Sequence, residues 1–424
     1  MSALPNRRFH RLYEQILLSP WFSLTLGWLV SVALPISIYS GWVGGETFFN
    51  SGQKSATVVT TIAFLISHSA VRRLRATYPG GRSGYFIAPQ VIAIFVFLSL
   101  IALLLRIDIS RLILVSCGFM ALLWFHCEYL ATFKYRRLKI ALIPGGEADQ
   151  LRSLPDIDAR EIENEELGGK RFDAVVADFE ALDDDTERFL TQCALNRIAV
   201  YDARAVYESV TGRVRINRMS ENSIGSLLPG PMYERVKLIM DLLIVFLSLP
   251  IVLPICLATA MLIKMESPGP VIFKQARIGR GNREFVIYKF RSMRVDDKCH
   301  PQFAGENDPR ITKVGRLIRK LRIDELPQFM NILKGDMSLV GPRPEQPLFV
   351  EEFNRKIPFY SYRHVVKPGI TGWAQVRHGY AANADETQIK IEHDFYYIKH
   401  CSLYLDMLVL LLTIKTMLTG FGAR

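Results

Sequence analysis

The chain has 424 residues, half of them hydrophobic and 22% charged, with a net charge of +11. That mixture is too apolar for an ordinary soluble protein and too charged for a pure membrane bundle, and it excludes disordered, collagenous and disulfide-stapled chains. The charge is uneven: residues 141–210 carry −10 and the remainder +21, so the basic part suits anionic lipid or phosphate ligands and not nucleic acid.

Four apolar runs open the sequence, at 21–42, 55–71, 86–105 and 112–133. Three approach the ~20 residues of a spanning helix; the second is short and draws on Lys54 snorkelling. Arginines and lysines gather before the first run (Arg7, Arg8, Arg11), between the second and third (Arg72, Arg73, Arg75, Arg82) and after the fourth (Lys134, Arg136, Arg137, Lys139). The positive-inside rule then places both ends of the bundle in the cytoplasm. It lacks charges at mid-depth, His68 and His126 lying near its ends, which reads as an anchor with no transport path. The six cysteines form no CxxC pair, so a zinc site is not expected.

From about 137 to 225 the pattern becomes soluble. Stretches 138–143, 172–178 and 197–201 read as strands, separated by helical stretches such as 184–194, which predicts a small parallel α/β sheet. The Gly145-Gly146 turn lacks a GxGxxG pattern. It leaves open nucleotide binding or a structural or oligomerisation role.

A fifth apolar run covers 238–263 and contains Pro250 and Pro254. Proline removes a backbone donor and clashes with the preceding turn, so a break or a sharp bend is expected: the segment either spans with a kink or enters the membrane and returns on the same side. Beyond it, residues 264–322 carry +9. Three basic clusters stand out: Gln275 with Arg277; Lys289 with Arg291, two apart as on one strand face; and Arg316, Arg319 and Lys320 at helical spacing. Converging Lys and Arg side chains bind a diphosphate or face a membrane surface.

Adjacent carboxylates, Asp324 and Glu325, follow these bases. A carboxylate attacks phosphorus when cations or a divalent metal mask the phosphate charge. A second such pair, Asp385 and Glu386, lies in a stretch that reads as a polar loop and lacks this basic company. The dyad is followed by Lys334-Gly335-Asp336-Met337-Ser338 and by Gly341-Pro342-Arg343-Pro344, a Gly/Pro turn that presents Arg343. In 367–376 Gln375 could hydrogen-bond a base or sugar and Trp373 could stack on one, or the segment is a structural loop. His364, His378, His393 and His400 show no metal spacing. The apolar stripe at 403–418 reads as an interfacial or lipid-facing helix.

These stretches, in this order, resemble the bacterial sugar transferases, the polyprenyl-phosphate phosphoglycosyl transferases with a monotopic catalytic domain. The four leading runs and the α/β unit resemble, by layout, the long form that initiates capsule, O-antigen or exopolysaccharide synthesis. The resemblance implies an α-helical transmembrane bundle over 1–136, a small Rossmann-like α/β domain over 137–228, and a mixed α/β, mostly helical, membrane-associated catalytic domain over 229–424 with a re-entrant helix over 236–264. It implies transfer of a sugar-1-phosphate from a UDP-sugar to undecaprenyl phosphate, with glucose or galactose favoured and N-acetylated sugars open. Asp324 would be the nucleophile that forms a covalent phosphosugar intermediate, and Glu325 would orient Mg²⁺ or the acceptor, the two acids being the metal ligands. Arg319 would hold phosphate, Lys289, Arg291 and Arg343 would neutralise charge, and Gln275, Arg277 and Gln375 would complete substrate binding. Pro250 and Pro254 would break the re-entrant helix, with Leu253 where the family has the serine of a Ser-Pro pair. The implied setting is the bacterial inner membrane with the catalytic half facing the cytoplasm, in contact with membrane lipids; the middle unit could sense a ligand or mediate a homodimer. A non-catalytic scaffold docking lipid-linked sugars is the other class of function considered.

Overall fold

A computed structural model describes residues 16, 18–42, 51–77, 84–133, 138–154, 157–162, 172–215, 228–294, 310–378 and 384–419. The basic residues Arg7, Arg8, Arg11, Arg82, Lys134, Arg136 and Arg137, and the boundary between 216 and 227, lie outside them. The chain divides into two compact units, Met1–Gly212 and Arg213–Arg424.

In the first unit the apolar runs form α1 (Pro20–Trp28) and α2 (Leu34–Trp42), joined through a π-helical stretch, Leu29–Ala33, then α3 (Ser51–Thr77), α4 (Ile87–Leu104) and α5 (Arg111–Phe133). The second run is less short than its apolar core suggests, because α3 carries on through Arg72, Arg73 and Arg75. Val32, Phe64, Val91 and Phe125 close the bundle interior, with Phe64 stacked on Phe125 at 5.5 Å. Val58, Leu103, Val115 and Phe119 are exposed, as suits helices solvated by lipid.

The α/β part has β1 (Leu138–Leu142), β2 (Ile157–Glu161), β3 (Ala174–Ala177), α6 (Asp184–Leu195), β4 (Ala199–Asp202) and α7 (Ala203–Thr211). All strand pairs are parallel, in the order β2-β1-β3-β4. Apolar clusters cover both faces: Ile140, Leu142 and Val176 pack with Val206 and Val210, while Ala141, Val175 and Ala177 pack with Phe189 and Leu190. Burial on both faces is why the strands read as apolar runs. At the end of β1, Gly146 has φ +56°, and a Cβ there would meet Asp178 Oδ2 at 2.1 Å. The Asp178 carboxylate accepts hydrogen bonds from the amides of Glu147 (2.8 Å) and Glu180 (3.1 Å). The turn therefore cradles the protein's own carboxylate where a phosphate would sit.

The second unit begins with α8 (Pro231–Glu266). Here the expected break does not occur: the helix runs through Pro250 and Pro254. In an apolar segment nothing else would satisfy the backbone, so prolines bend such a helix and do not end it. Leu247, Ile251, Leu257 and Met261 are bare, whereas both ends of the helix pack on the unit. Near its start Asp241 accepts from the Ser338 hydroxyl at 2.6 Å, and Lys237 and Tyr233 reach Asp406 at 2.9 and 2.7 Å. Near its end Ile263 packs with Phe290 and Ile318.

The rest of the unit consists of an antiparallel hairpin, β5 (Ile272–Ile278) and β6 (Glu284–Phe290), then α9 (Lys313–Lys320), a 3₁₀ helix (Ile323–Gln328) and α10 (Phe329–Lys334). After these come β7 (Ser338–Val340), α11 (Pro347–Lys356), a second 3₁₀ helix (Tyr360–Val365), β8 (Gly369–Thr371), α12 (Trp373–Arg377), α13 (Ala384–Lys399) and α14 (Leu403–Thr419). β7 and β8 pair in parallel. Asp385 and Glu386 sit in the first turn of α13 and not in a loop, where acids are favoured by the helix dipole.

Candidate active site

The dyad is placed by a chain of caps. Glu266, at the end of α8, accepts from the amides of Lys313 (2.7 Å) and Val314 (3.0 Å), the first amides of α9. The Thr312 hydroxyl accepts from Gly315 N at 2.9 Å. These satisfy donors that a helix start leaves without intrahelical partners. At the other end Arg322 takes a left-handed backbone, φ 55°, which turns the chain into the 3₁₀ helix bearing Asp324 and Glu325. Asn331, fully buried, then fastens this segment to β6, accepting from Tyr288 N (3.2 Å) and donating to Val286 O (2.7 Å).

A 3₁₀ helix sets neighbours about 120° apart, so the two acids face different surroundings. Glu325 is buried and lies 2.9 Å from Arg343 Nη2, 3.6 Å from Lys289 Nζ and 3.8 Å from Arg322 Nη1. Burial pushes its carboxyl up, but the charges of Arg343, Lys289 and Arg322 overcome this and hold it well below its ordinary value. Asp324 is half-buried. Burial and the neighbouring Glu325 charge raise its pKa, against the pull of Lys289, Arg343 and Arg319. Burial and the nearby Arg343 depress Lys289 to about 8. One acid is therefore locked among cations and the other keeps a high-energy charge, the arrangement expected of an anchor beside a nucleophile.

The structure gathers Asp324, Glu325, Lys289, Arg319 and Arg343 into one electrostatic cluster. Arg277 shares the field of that cluster, whereas Arg291 does not take the role expected of it. Arg291 lies past the end of β6 and is buried, its guanidinium spent on Ser267 O (2.8 Å), Ser267 Oγ (2.9 Å) and Pro268 O (2.6 Å). It holds the exit from α8, because the strand alternation that would have aligned it with Lys289 stops at Phe290. Arg277 donates to Pro344 O (3.0 Å) and to Gln275 Oε1 (2.8 Å) and pairs with Glu345 (3.5 Å); both residues support the segment after Arg343. Gln375 lies on α12, its Oε1 beside Gly372. Trp373 is fully buried, stacked on Tyr396 at 5.7 Å, so its face is core and not a base platform. Arg316 and Lys320 are exposed.

The Gly/Pro motifs have a packing cause. A Cβ at Gly341 would meet Lys367 O at 2.4 Å, and one at Gly369 would meet Gly341 N at 2.1 Å, so β7 and β8 approach too closely there for any side chain. Several supporting residues escaped the sequence reading: Arg322, Glu345, Arg363, Lys390 and Asp394. Lys390 and Asp394 are four apart on α13, and that one-face spacing was the available signal.

Among the described residues no group of three or more His, Cys, Asp or Glu is placed to hold a metal ion. The dyad still offers a donor set of the kind Mg²⁺ uses, one or two carboxylates completed by substrate phosphates. Asp324 is the freer of the two, since three cations already engage Glu325.

Similarity to known proteins gives the family. The family described as "Bacterial sugar transferase" matches residues 232–420. An Aeromonas hydrophila protein named UDP-N-acetylgalactosamine-undecaprenyl-phosphate N-acetylgalactosaminephosphotransferase is 48% identical over 424 residues, 99% of this chain and 99% of its own. The UDP-glucose:undecaprenyl-phosphate glucose-1-phosphate transferase of Escherichia coli is 42% identical over 178 residues, covering 41% of this chain and 38% of that one. A Caulobacter vibrioides protein of the same name is 39% identical over 202 residues, 47% of this chain and 76% of its own. With the family matched across the unit that carries the dyad, and a relative matched from end to end, the chain belongs to the bacterial sugar transferase family.

Proposed function

We propose that this protein transfers N-acetylgalactosamine-1-phosphate from its UDP-linked form to undecaprenyl phosphate, releasing UMP. The observation that carries the reaction is the division within the dyad: Glu325 sits among three cations while Asp324 keeps a half-buried carboxylate beside them. In this reading an Asp324 oxygen attacks the sugar-bearing phosphorus. The bond from that phosphorus to the oxygen bridging the two phosphates breaks, and UMP leaves with that oxygen. A phosphate oxygen of the lipid then attacks the same phosphorus and displaces the Asp324 carboxylate. Lys289, Arg319 and Arg343 lower the repulsion between the carboxylate and the diphosphate. Mg²⁺, held by Asp324 with Glu325 next to it, would add further charge masking to the diphosphate when bound.

The sugar reading departs from the glucose or galactose expected above. It is supported by the N-acetylgalactosamine name of the relative matched along 99% of both chains, whereas the glucose-named proteins match under half of this chain. UMP release measured with UDP-N-acetylgalactosamine, UDP-glucose and UDP-galactose in the presence of undecaprenyl phosphate tests it, and faster release from either hexose would refute it. Asp324→Asn tests the chemistry: the enzyme loses nearly all turnover and labelled phosphosugar no longer stays on the protein, while a docking scaffold would be unaffected.

The reaction takes place at the cytoplasmic face of the inner membrane. Among the described residues, five helices are long and apolar enough to span a bilayer. A straight helix of 36 residues would be about 54 Å long, yet both ends of α8 pack on the same unit while its middle is bare. This supports re-entry, with the bend near Pro250 and Pro254. Cysteine reporters near Arg424 would stay unlabelled from outside intact cells; labelling there would refute it.

A further inference from the structure

The segment Pro342-Arg343-Pro344 has an unusual fastening problem. Its two prolines have no amide hydrogen, so the segment is held chiefly through its carbonyls. Pro342 O accepts from Gly369 N (3.0 Å), Pro344 O from Arg277 (3.0 Å), and Arg343 O from Arg363 Nη2 (2.9 Å). Arg363 is buried, its side chain 2% exposed, and its other bonds go to Asp394 (2.7 Å) and the Tyr360 hydroxyl (2.9 Å). Burying a charge is costly. A neutral donor could have capped one carbonyl, whereas a guanidinium fork engages three partners in one plane.

We propose that Arg363 is a positioning residue for Arg343: it fixes the Arg343 main chain from behind, so that the Arg343 side chain stays on Glu325 and faces the incoming diphosphate. Arg363 touches no substrate. Asp394, on α13, and Tyr360, on the neighbouring 3₁₀ helix, hold the fork in its plane. The inference rests on the proposed function for its kinetic test and on the geometry alone for its second test.

Single-turnover UMP release by the purified full-length protein is compared in wild type, Arg363→Lys, Arg343→Ala and the double variant. Lysine keeps the charge but not the fork. Because displacing a group by about 1 Å costs roughly 100-fold, Arg363→Lys is expected to slow release by about that factor. In the Arg343→Ala background it should change the rate by less than about threefold, since a residue acting through another has no effect once that other is gone. Losses that multiply in the double variant, or an Arg363→Lys rate near wild type, overturn the proposal. If Arg363→Lys does not fold, Tyr360→Phe removes a single acceptor and must show the same dependence on Arg343, with a smaller loss. Hydrogen exchange gives the readout independent of activity: the amides of Gly341, Arg343 and Glu345 exchange faster in Arg363→Lys while the β5–β6 hairpin is unchanged. Equal exchange there overturns the proposal whatever the kinetics. A wild type that releases no UMP would count against the functional reading and leave the exchange result to decide this one.

Discussion

Removing the charge of Glu345 is expected to destabilise the catalytic unit in a pH-dependent way. This carboxylate lies 3.0 Å from Lys390 Nζ and 3.5 Å from Arg277 Nη1, with its side chain 14% exposed. Burial works against its ionisation, but Lys390, Arg363 and Arg277 prevail and draw it from an ordinary 4.5 down to about 2. At about 1.4 kcal/mol per tenfold change in proton affinity, that drop corresponds to roughly 3 kcal/mol. The folded-state value is depressed, so this stability is fully present above pH 4.5 and is lost as pH falls through about 2. Glu345→Gln removes it at neutral pH. A unit of this size loses about 2–4 °C of melting temperature per kcal/mol, which gives a fall of about 6–12 °C. Thermal unfolding of the detergent-solubilised protein, followed between pH 7 and 3, reads both parts. A variant that melts within about 2 °C of wild type at neutral pH, or a gap that fails to narrow below pH 4.5, would refute the assignment of Glu345 as a buried anion held by these bases.

Arg291→Ala should lower the melting temperature by freeing the carbonyls of Ser267 and Pro268, yet leave the KM for the UDP-sugar unchanged within about twofold; a large rise in KM with normal melting would return Arg291 to the substrate. Lys289→Met should cost at least about 100-fold in kcat/KM, the scale for removing one preorganised charge from a transition state, as read by UMP release. Gly369→Ala would set a Cβ 2.1 Å from Gly341 N, so the unit should lose about 3 kcal/mol or more, seen as a melting temperature lower by at least about 6 °C; unaltered melting would disprove the close approach of β7 and β8.

Much of the molecule was legible because its local signals are strong. The four leading apolar runs and strands β1, β3 and β4 announced themselves by length and alternation. β2 did not, since Ile157-Asp158-Ala159-Arg160-Glu161 is an edge strand whose polar residues face solvent. Asp324, Glu325, Lys289 and Arg343 were visible as acids and bases in company. The errors have one origin: a charge pattern names the residues but not what they hold. Arg291 has the same local look as Lys289, yet one fork is consumed by a loop and the other charge meets a carboxylate. Glu345, Arg363 and Asp394 stayed hidden because the pairs Arg343–Arg363, Arg363–Asp394 and Glu345–Lys390 lie 20, 31 and 45 positions apart, and only folding joins them. Pro250 and Pro254 do not end the helix, since a proline weighs less where a helix has no water to turn to, and only the bend they favour is kept in the re-entry reading.

The cap that Glu266 places on α9 has a consequence for how the two substrates meet. The last residue of α8 holds the first amides of the helix that leads into the dyad, so the place of Asp324 relative to α8 is set by hydrogen bonds and not by a slack tether. The enzyme has no need to reach for its lipid. On the proposed mechanism the lipid headgroup must come to a carboxylate whose place the protein has already fixed.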